Sequence, residues 1–146
     1  MKRVYALEEY CVGCRLCEIN CIVAHSQSKD IIWAFKVEEP RPLPGILVEE
    51  ARPISFGLQC RHCDDAVCIK SCITGAMHRD ERDTVVCDTD KCVGCWTCIM
   101  ACPYGAIKAN ENDGKVVSKC DLCPDLSQPA CVSHCPNEAL IYVDRG

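Results

Sequence analysis

The sequence predicts an α+β fold in which cysteine loops alternate with short helices and short strands, and three observations predict it. Sixteen of the seventeen cysteines fall into four groups of four, so sulfur-gathering loops recur along the chain. After the closing cysteine of the later groups come Ile73-Thr74-Gly75-Ala76-Met77, Pro103-Tyr104-Gly105-Ala106-Ile107 and Pro136-Asn137-Glu138-Ala139-Leu140. Each ends in Ala plus a large aliphatic, the start of a short strand. Turn-rich stretches then lead to return strands: Arg79-Asp80-Glu81-Arg82-Asp83 before Thr84-Val85-Val86, and Asn110-Glu111-Asn112-Asp113-Gly114 before Lys115-Val116-Val117. That punctuation is the mark of hairpins. Cys17 to His25 and Cys98 to Cys102 are expected as short helices behind their cysteine loops.

The four groups read Cys11-x2-Cys14-x2-Cys17-x3-Cys21, Cys60-x2-Cys63-x4-Cys68-x3-Cys72, Cys92-x2-Cys95-x2-Cys98-x3-Cys102-Pro103 and Cys120-x2-Cys123-x7-Cys131-x3-Cys135-Pro136. The first and third keep the C-x2-C-x2-C-x3-C run of bacterial ferredoxins, and the third also has the following proline. The second and fourth keep the opening and closing pairs around a longer middle loop. Sixteen thiolates in groups of four are what four cubane [4Fe–4S] clusters require, and their chemistry is electron transfer.

Two other readings of the cysteines are weaker. Seventeen in 146 residues is about 12%, a level that in a short secreted chain indicates disulfides. Met1 to Cys11 contains no apolar signal-peptide core and no stretch approaches transmembrane length, so a cytoplasmic chain with reduced, metal-binding thiols is expected. Structural zinc uses two C-x2-C pairs per metal and has no need of a third cysteine at fixed short spacing. A structural zinc protein or an iron–sulfur sensor is the alternative from another functional class, and a sensor would need a nucleic-acid-binding element that the sequence does not display.

With only 5% aromatic residues, an ordinary side-chain core is not expected. The clusters become the core, and metal binding supplies folding free energy. The formal charge is −5, and four oxidised clusters with their thiolates bring it to about −13. Such a surface disfavours nucleic acid and favours salt-sensitive association with a basic face of another redox protein.

One interruption breaks the repeat. Twenty positions separate Cys72 from Cys92 and eighteen separate Cys102 from Cys120, but thirty-nine separate Cys21 from Cys60. The gap carries strand-like Ala34-Phe35-Lys36-Val37 and Ile46-Leu47-Val48, broken by Pro40, Pro42, Pro44 and Pro53, together with Trp33, Phe35 and Phe56. It is read as an ordered β insertion over 33–59. Glu38/Glu39 and Glu49/Glu50 within it are read as solvated strand edges, because adjacent strand residues face opposite sides.

In two-cluster ferredoxins the fourth cysteine of each motif crosses to the other cluster, so the motifs must pair. Spacing alone permits second with third or third with fourth. Arg3-Val4-Tyr5-Ala6-Leu7 and Ala139-Leu140-Ile141-Tyr142-Val143 are both strand-like, and they can pair with each other only if the first and fourth motifs share a module. That leaves the second and third as an inner module.

The motif order, Gln59-Cys60-Arg61-His62-Cys63, and the run from Cys92 to Ile107 resemble the four-cluster iron–sulfur electron-transfer subunits of molybdopterin oxidoreductases, formate dehydrogenases, hydrogenases and carbon monoxide dehydrogenase. The resemblance covers nearly the whole chain. Cys14-Arg15-Leu16-Cys17 with Ala24-His25-Ser26-Gln27-Ser28-Lys29-Asp30 is most similar to the ferredoxin-like protein associated with carbon monoxide dehydrogenase. The resemblance implies two nested ferredoxin-like 2[4Fe–4S] modules: an outer one from 1–32 and 108–146, and an inner one from 60–107. It implies four ligand sets: Cys11, Cys14, Cys17 and Cys135; Cys120, Cys123, Cys131 and Cys21; Cys60, Cys63, Cys68 and Cys102; Cys92, Cys95, Cys98 and Cys72. It also implies an electron relay without catalytic residues of its own. Carbon monoxide dehydrogenase would be the donor, and an NAD(P)-linked flavoprotein oxidoreductase or a hydrogenase the acceptor. The alternative is a subunit fixed to a formate dehydrogenase or other molybdopterin enzyme.

Cys87 is left over and is expected as a small buried residue on a strand. His62 and His134 sit inside filled cysteine motifs, where hydrogen bonding or loop packing is expected of them. Gly13 and Gly94 let the backbone approach a cluster closely, and Trp96 is expected to shield one. No phosphate-binding loop, dinucleotide fingerprint or Ser/His/Asp pattern is present.

Overall fold

The computed structural model describes residues 1–39, 41–110 and 116–144; Pro40, Lys115 and the expected turn at 111–114 lie outside them. The elements run β1 (Lys2–Ala6), α1 (Leu16–His25), α2 (Ile31–Lys36), β2 (Ile46–Ala51), β3 (Ile54–Gln59), α3 (Val67–Ser71), β4 (Met77–Arg79), β5 (Val85–Cys87), α4 (Thr97–Ala101), β6 (Lys108–Ala109), β7 (Val116–Ser118), α5 (Ala130–Ser133) and β8 (Leu140–Asp144). This is a small mixed helix–strand fold. No helix among the described residues is long and apolar enough to cross a membrane.

The strands form four separate two-stranded antiparallel sheets, β1–β8, β2–β3, β4–β5 and β6–β7. The terminal strands pair from Lys2 opposite Asp144 to Ala6 opposite Leu140, and the ladder continues as the Leu7 N–H donates to the Ala139 carbonyl at 2.7 Å. In the β4–β5 hairpin, Met77 faces Cys87. Its turn is held by Asp80, whose carboxylate accepts from the backbone N–H of Arg82 at 2.9 Å and of Thr84 at 2.8 Å. The alanine of the repeat has one role throughout: Ala76, Ala106 and Ala139 are all buried, where a larger side chain would hold the strand away from its cysteine loop.

The expected strand at Ala34–Val37 is a helix instead. The Asp30 carboxylate accepts from the N–H groups of Ile32 and Trp33 at 2.9 and 3.1 Å, a side-chain cap on the first turn. Ala34 seats the turn against the protein with no exposed surface, and local capping outweighs the β-branched and aromatic composition. Glu38 is accordingly not a strand-edge residue: it closes the turn after α1 by accepting from the N–H of Gln27 at 3.3 Å and of Ser28 at 2.7 Å. Glu49 and Glu50 do lie on a strand, β2, and Glu50 meets Arg15 at 3.3 Å.

The buried apolar residues form two clusters. One joins Val4, Ile46, Val48, Leu122 and Leu140 with Cys17, Cys21 and Cys131. The other joins Ala66, Met77, Val85 and Ile107 with Cys98. The β2–β3 hairpin belongs to the first: Ile46 and Val48 point into it, the Val48 N–H donates to Glu18 at 2.7 Å, and the Gln59 amide donates to the Val4 carbonyl at 2.8 Å. A methyl group on Gly57 would stand 2.9 Å from Ile46 and 3.3 Å from Leu140, so this contact tolerates little change. Ile46→Ala, which empties the middle of the first cluster, is expected to destabilise the protein by about 2–5 kcal/mol, read as a lowered midpoint of thermal unfolding. An unchanged midpoint would show that the hairpin is not part of the core.

Candidate metal centre

Each cysteine loop opens with the same backbone turn. The residue two after the first cysteine has positive φ in all four motifs: Gly13 at 69°, His62 at 45°, Gly94 at 74° and Leu122 at 59°. Glycine adopts this conformation freely, whereas an L side chain carries a cost of roughly 1–2 kcal/mol. His62 and Leu122 offset it locally. The buried His62 accepts the Val85 N–H on Nδ1 at 3.1 Å, and Leu122 is buried in the first core cluster. Arg15 and Trp96 take positive φ at the residue before α1 and α4, the corresponding place in the first and third motifs.

The turns bring the sulfurs together. One cavity is lined by Cys11, Cys14, Cys17 and Cys135, drawing three sulfurs from the first motif and one from the last. A second is lined by Cys72, Cys92, Cys95 and Cys98, and by Cys87. The remaining cysteines are placed by their influence on one another. Burial raises the Cys120 thiol well above its ordinary range, helped by the charges of Cys131, Cys21 and Cys60. Burial, then Cys21, Cys123 and Cys17, pushes Cys131 up to about 12. Burial raises Cys68 as well, with Cys60 and Cys102 adding to it and Lys119 opposing. Cys21, Cys120, Cys123 and Cys131 thus gather at one place, and Cys60, Cys68 and Cys102 at another.

Backbone N–H groups point at sulfur, as cluster thiolates require. Gly45 donates to Cys21 at 3.2 Å, His62 to Cys60 at 3.4 Å, Met77 to Cys72 at 3.5 Å and Ala139 to Cys135 at 3.2 Å. The effect is visible at Cys72: against the cost of burial, donors from Met77, Thr74 and Ala76 hold its thiol down to about 7. At Cys95 the Thr97 hydroxyl, 3.4 Å away, lowers the thiol in the same way. Four sulfurs around one cavity, with N–H donors aimed at them, fit a cubane.

The histidines serve the loops. His134 Nδ1 donates to the Ala130 carbonyl at 2.9 Å. His62 accepts on Nδ1, so its proton sits on Nε2, a buried atom with no partner among the described residues. Burial, reinforced by the charges of Lys119 and Arg3, drops its pKa to about 3 and keeps the ring neutral. His25 ties α1 to the fourth motif, its Nε2 3.0 Å from the Asp121 carboxylate and its Nδ1 2.9 Å from the Cys21 carbonyl. His25, Asp121 and Cys123 have ligand atoms within 4.8 Å of one another, but the imidazole–carboxylate pair already accounts for that proximity. Lys119, which no sequence motif singles out, joins the two halves: its ammonium donates to the Val85 carbonyl on β5 and to the Cys120 carbonyl.

The helices depend on this sulfur. The buried residues of α1 are Cys17 and Cys21, and that of α4 is Cys98. Stripping iron with a chelator under reducing conditions is therefore expected to abolish most of the far-ultraviolet helical signal. A metal-free protein with an unchanged spectrum would contradict this.

The family described as "4Fe-4S dicluster domain" matches residues 53–145, a span holding the second, third and fourth motifs. "Electron transport protein HydN" of Escherichia coli (strain K12) is 39% identical over 150 residues, covering 92% of this chain and 83% of the relative. An "Iron-sulfur protein" of Rhodospirillum rubrum is 35% identical over 97% of this chain and 81% of its own length. A subunit of the anaerobic dimethyl sulfoxide reductase of Escherichia coli (strain K12) is 36% identical over 90% of this chain and 68% of its own length. Among solved structures, the "Active site complex BamBC of Benzoyl Coenzyme A reductase in complex with Zinc" superposes with a TM-score of 0.53 at 22% identity, covering 100% of this chain and 80% of that one, a likeness of fold. With four cysteine groups, matching backbone turns and these relatives, this protein belongs to the 4Fe-4S dicluster domain family and is an iron–sulfur electron-transfer protein whose cysteines suit four [4Fe–4S] clusters.

Proposed function

We propose that the protein is a linear four-cluster relay that takes electrons from carbon monoxide dehydrogenase and delivers them to an NAD(P)-linked flavoprotein oxidoreductase or a hydrogenase. The observation that carries the relay is the sharing of one cavity by Cys135 with Cys11, Cys14 and Cys17, the crossing expected if the first and fourth motifs form one module. On this reading Cys11, Cys14, Cys17 and Cys135 hold one cluster, and Cys120, Cys123, Cys131 and Cys21 the next. Cys60, Cys63, Cys68 and Cys102 hold a third, and Cys92, Cys95, Cys98 and Cys72 the last. Residues 1–32 and 108–146 make the outer module, 60–107 the inner one, and 33–59 the insertion between them.

The mutual influence of Cys60 and Cys120 supports an order. The first-motif and third-motif sites stand at the ends, with the fourth-motif and second-motif sites meeting in the middle. Cys14 and Cys95 are the exposed cysteines, and they belong to the two end sites. Apolar side chains surround both, Val12 and Leu16 at one, Val93 and Trp96 at the other. When bound, each cluster supplies a one-electron step. The protein's part is to hold the sulfurs, to shield them from water and to stabilise the added negative charge with N–H donors.

The first-motif resemblance supports carbon monoxide dehydrogenase as donor. The likeness to a dimethyl sulfoxide reductase subunit favours a second reading, a subunit bound permanently to a molybdopterin enzyme such as a formate dehydrogenase. Exposure of both ends and an acidic surface favour a soluble encounter, in the cytoplasm.

Cys135→Ser and Cys14→Ser are expected to perturb the same cluster in electron paramagnetic resonance, and Cys102→Ser a different one. A Cys135 variant that disturbs the third-motif signal would overturn the grouping. Mixed with reduced carbon monoxide dehydrogenase under carbon monoxide, the protein should lose its visible absorption quickly, and more slowly at high salt. No bleaching there, with rapid reduction by a formate dehydrogenase, would favour the second reading.

A further inference from the structure

The two end sites are related by the internal repeat, and the relation is close enough to compare them position by position. In the outer sheet Ala6 faces Leu140, five residues before Cys11 and five after Cys135. In the inner hairpin Cys87 faces Met77, five before Cys92 and five after Cys72. Cys87 is thus the counterpart of Ala6. The outer site shows that the strand needs only a small apolar residue there. The inner site has a sulfur, and that sulfur lines the same cavity as Cys72, Cys92, Cys95 and Cys98. The sulfurs of Cys87 and Cys92 also share a hydrogen bond. A residue retained only for packing at this position has no reason to contribute a fifth thiol to a four-sulfur site.

We propose that Cys87 is an interchangeable ligand of the third-motif cluster, able to replace Cys92; this rests on Cys92 being a ligand there. In the exchange, an iron–sulfur bond to Cys87 forms as the bond to Cys92 breaks. The proton on Cys87 passes along the shared S–H···S hydrogen bond to the departing Cys92 thiolate. Charge, electrons and protons balance, and no oxidant is required. The exchange gives one end of the relay tolerance to the loss or modification of a ligand, which the other end lacks.

Three variants, purified anaerobically and assayed for iron and by electron paramagnetic resonance, test this. From about sixteen irons in the parent, Cys92→Ala is expected to keep about sixteen, with the third-motif signal altered in shape. Cys92→Ala/Cys87→Ala is expected to fall to about twelve, as is Cys11→Ala, whose site has no spare sulfur. Cys92→Ala falling with the double variant, or failing to yield soluble protein while Cys11→Ala does not, overturns the role of Cys87 and leaves Cys92 as a ligand. A double variant that keeps full iron overturns the assignment of Cys92 itself. A second measurement leaves all sixteen proposed ligands in place: Cys87→Ala should lose iron to a chelator several-fold faster than the parent, and equal rates overturn the proposal.

Discussion

Buried thiolates repel one another, and this protein has to place them four at a time. Cys17 is pushed up to about 11 by burial and by Glu18, Cys14 and Cys11, and Cys131 to about 12 by burial and by Cys21, Cys123 and Cys17. Without a positive charge among them such groups stay protonated, and the sites are then only clefts lined by neutral thiols. A cationic iron–sulfide core reverses the sign of the problem, since the same crowding that opposes ionisation becomes ligation. The short helices, the two-stranded sheets and the buried alanines can be understood as the least scaffold that holds sulfur at that density. Among the described residues no sheet has more than two strands, and such ribbons are marginal in isolation.

The two halves meet through polar groups. Lys119 reaches the Val85 carbonyl, His62 takes the Val85 N–H, Arg82 donates to the Asp121 carbonyl at 3.2 Å, and Arg3 pairs with Asp64. Val85, 1% exposed, has its N–H and its carbonyl each engaged by a side chain. The junction therefore places a cation and a neutral imidazole close to Cys60, Cys68 and Cys120. In the proposed order these belong to the two middle clusters. A positive charge there favours the reduced state of both, which helps an electron rest midway along the relay.

What the sequence discloses is governed by short-range rules. Cysteine spacing announces the sites, because ligation geometry fixes the separation of ligands along the chain. The Ala-plus-aliphatic repeat announces β4, β6 and β8, because each such alanine must pass under a cysteine loop. The helix at Ile31–Lys36 reads as a strand because its composition is apolar and β-branched, and the Asp30 cap that decides the matter is a single residue. The positive φ of His62 and Leu122 is hidden, since only glycine advertises that conformation. Lys119 and Cys87 are not recognisable in the sequence as parts of the site. The first acts across the module junction, and the second by its register on β5, both products of tertiary placement.

The pairing of β1 with β8 has a consequence in time. The chain leaves the ribosome from its amino end, and ninety-nine positions separate Cys21 from Cys120. At roughly 5–20 residues per second, the first-motif thiols wait roughly 5–20 seconds for the strand and sulfurs that complete their module. The β4–β5 hairpin and the second and third motifs are finished well before. The amino-terminal cysteines are thus the earliest made and the latest enclosed, and they are exposed longest to oxygen and stray metal during synthesis.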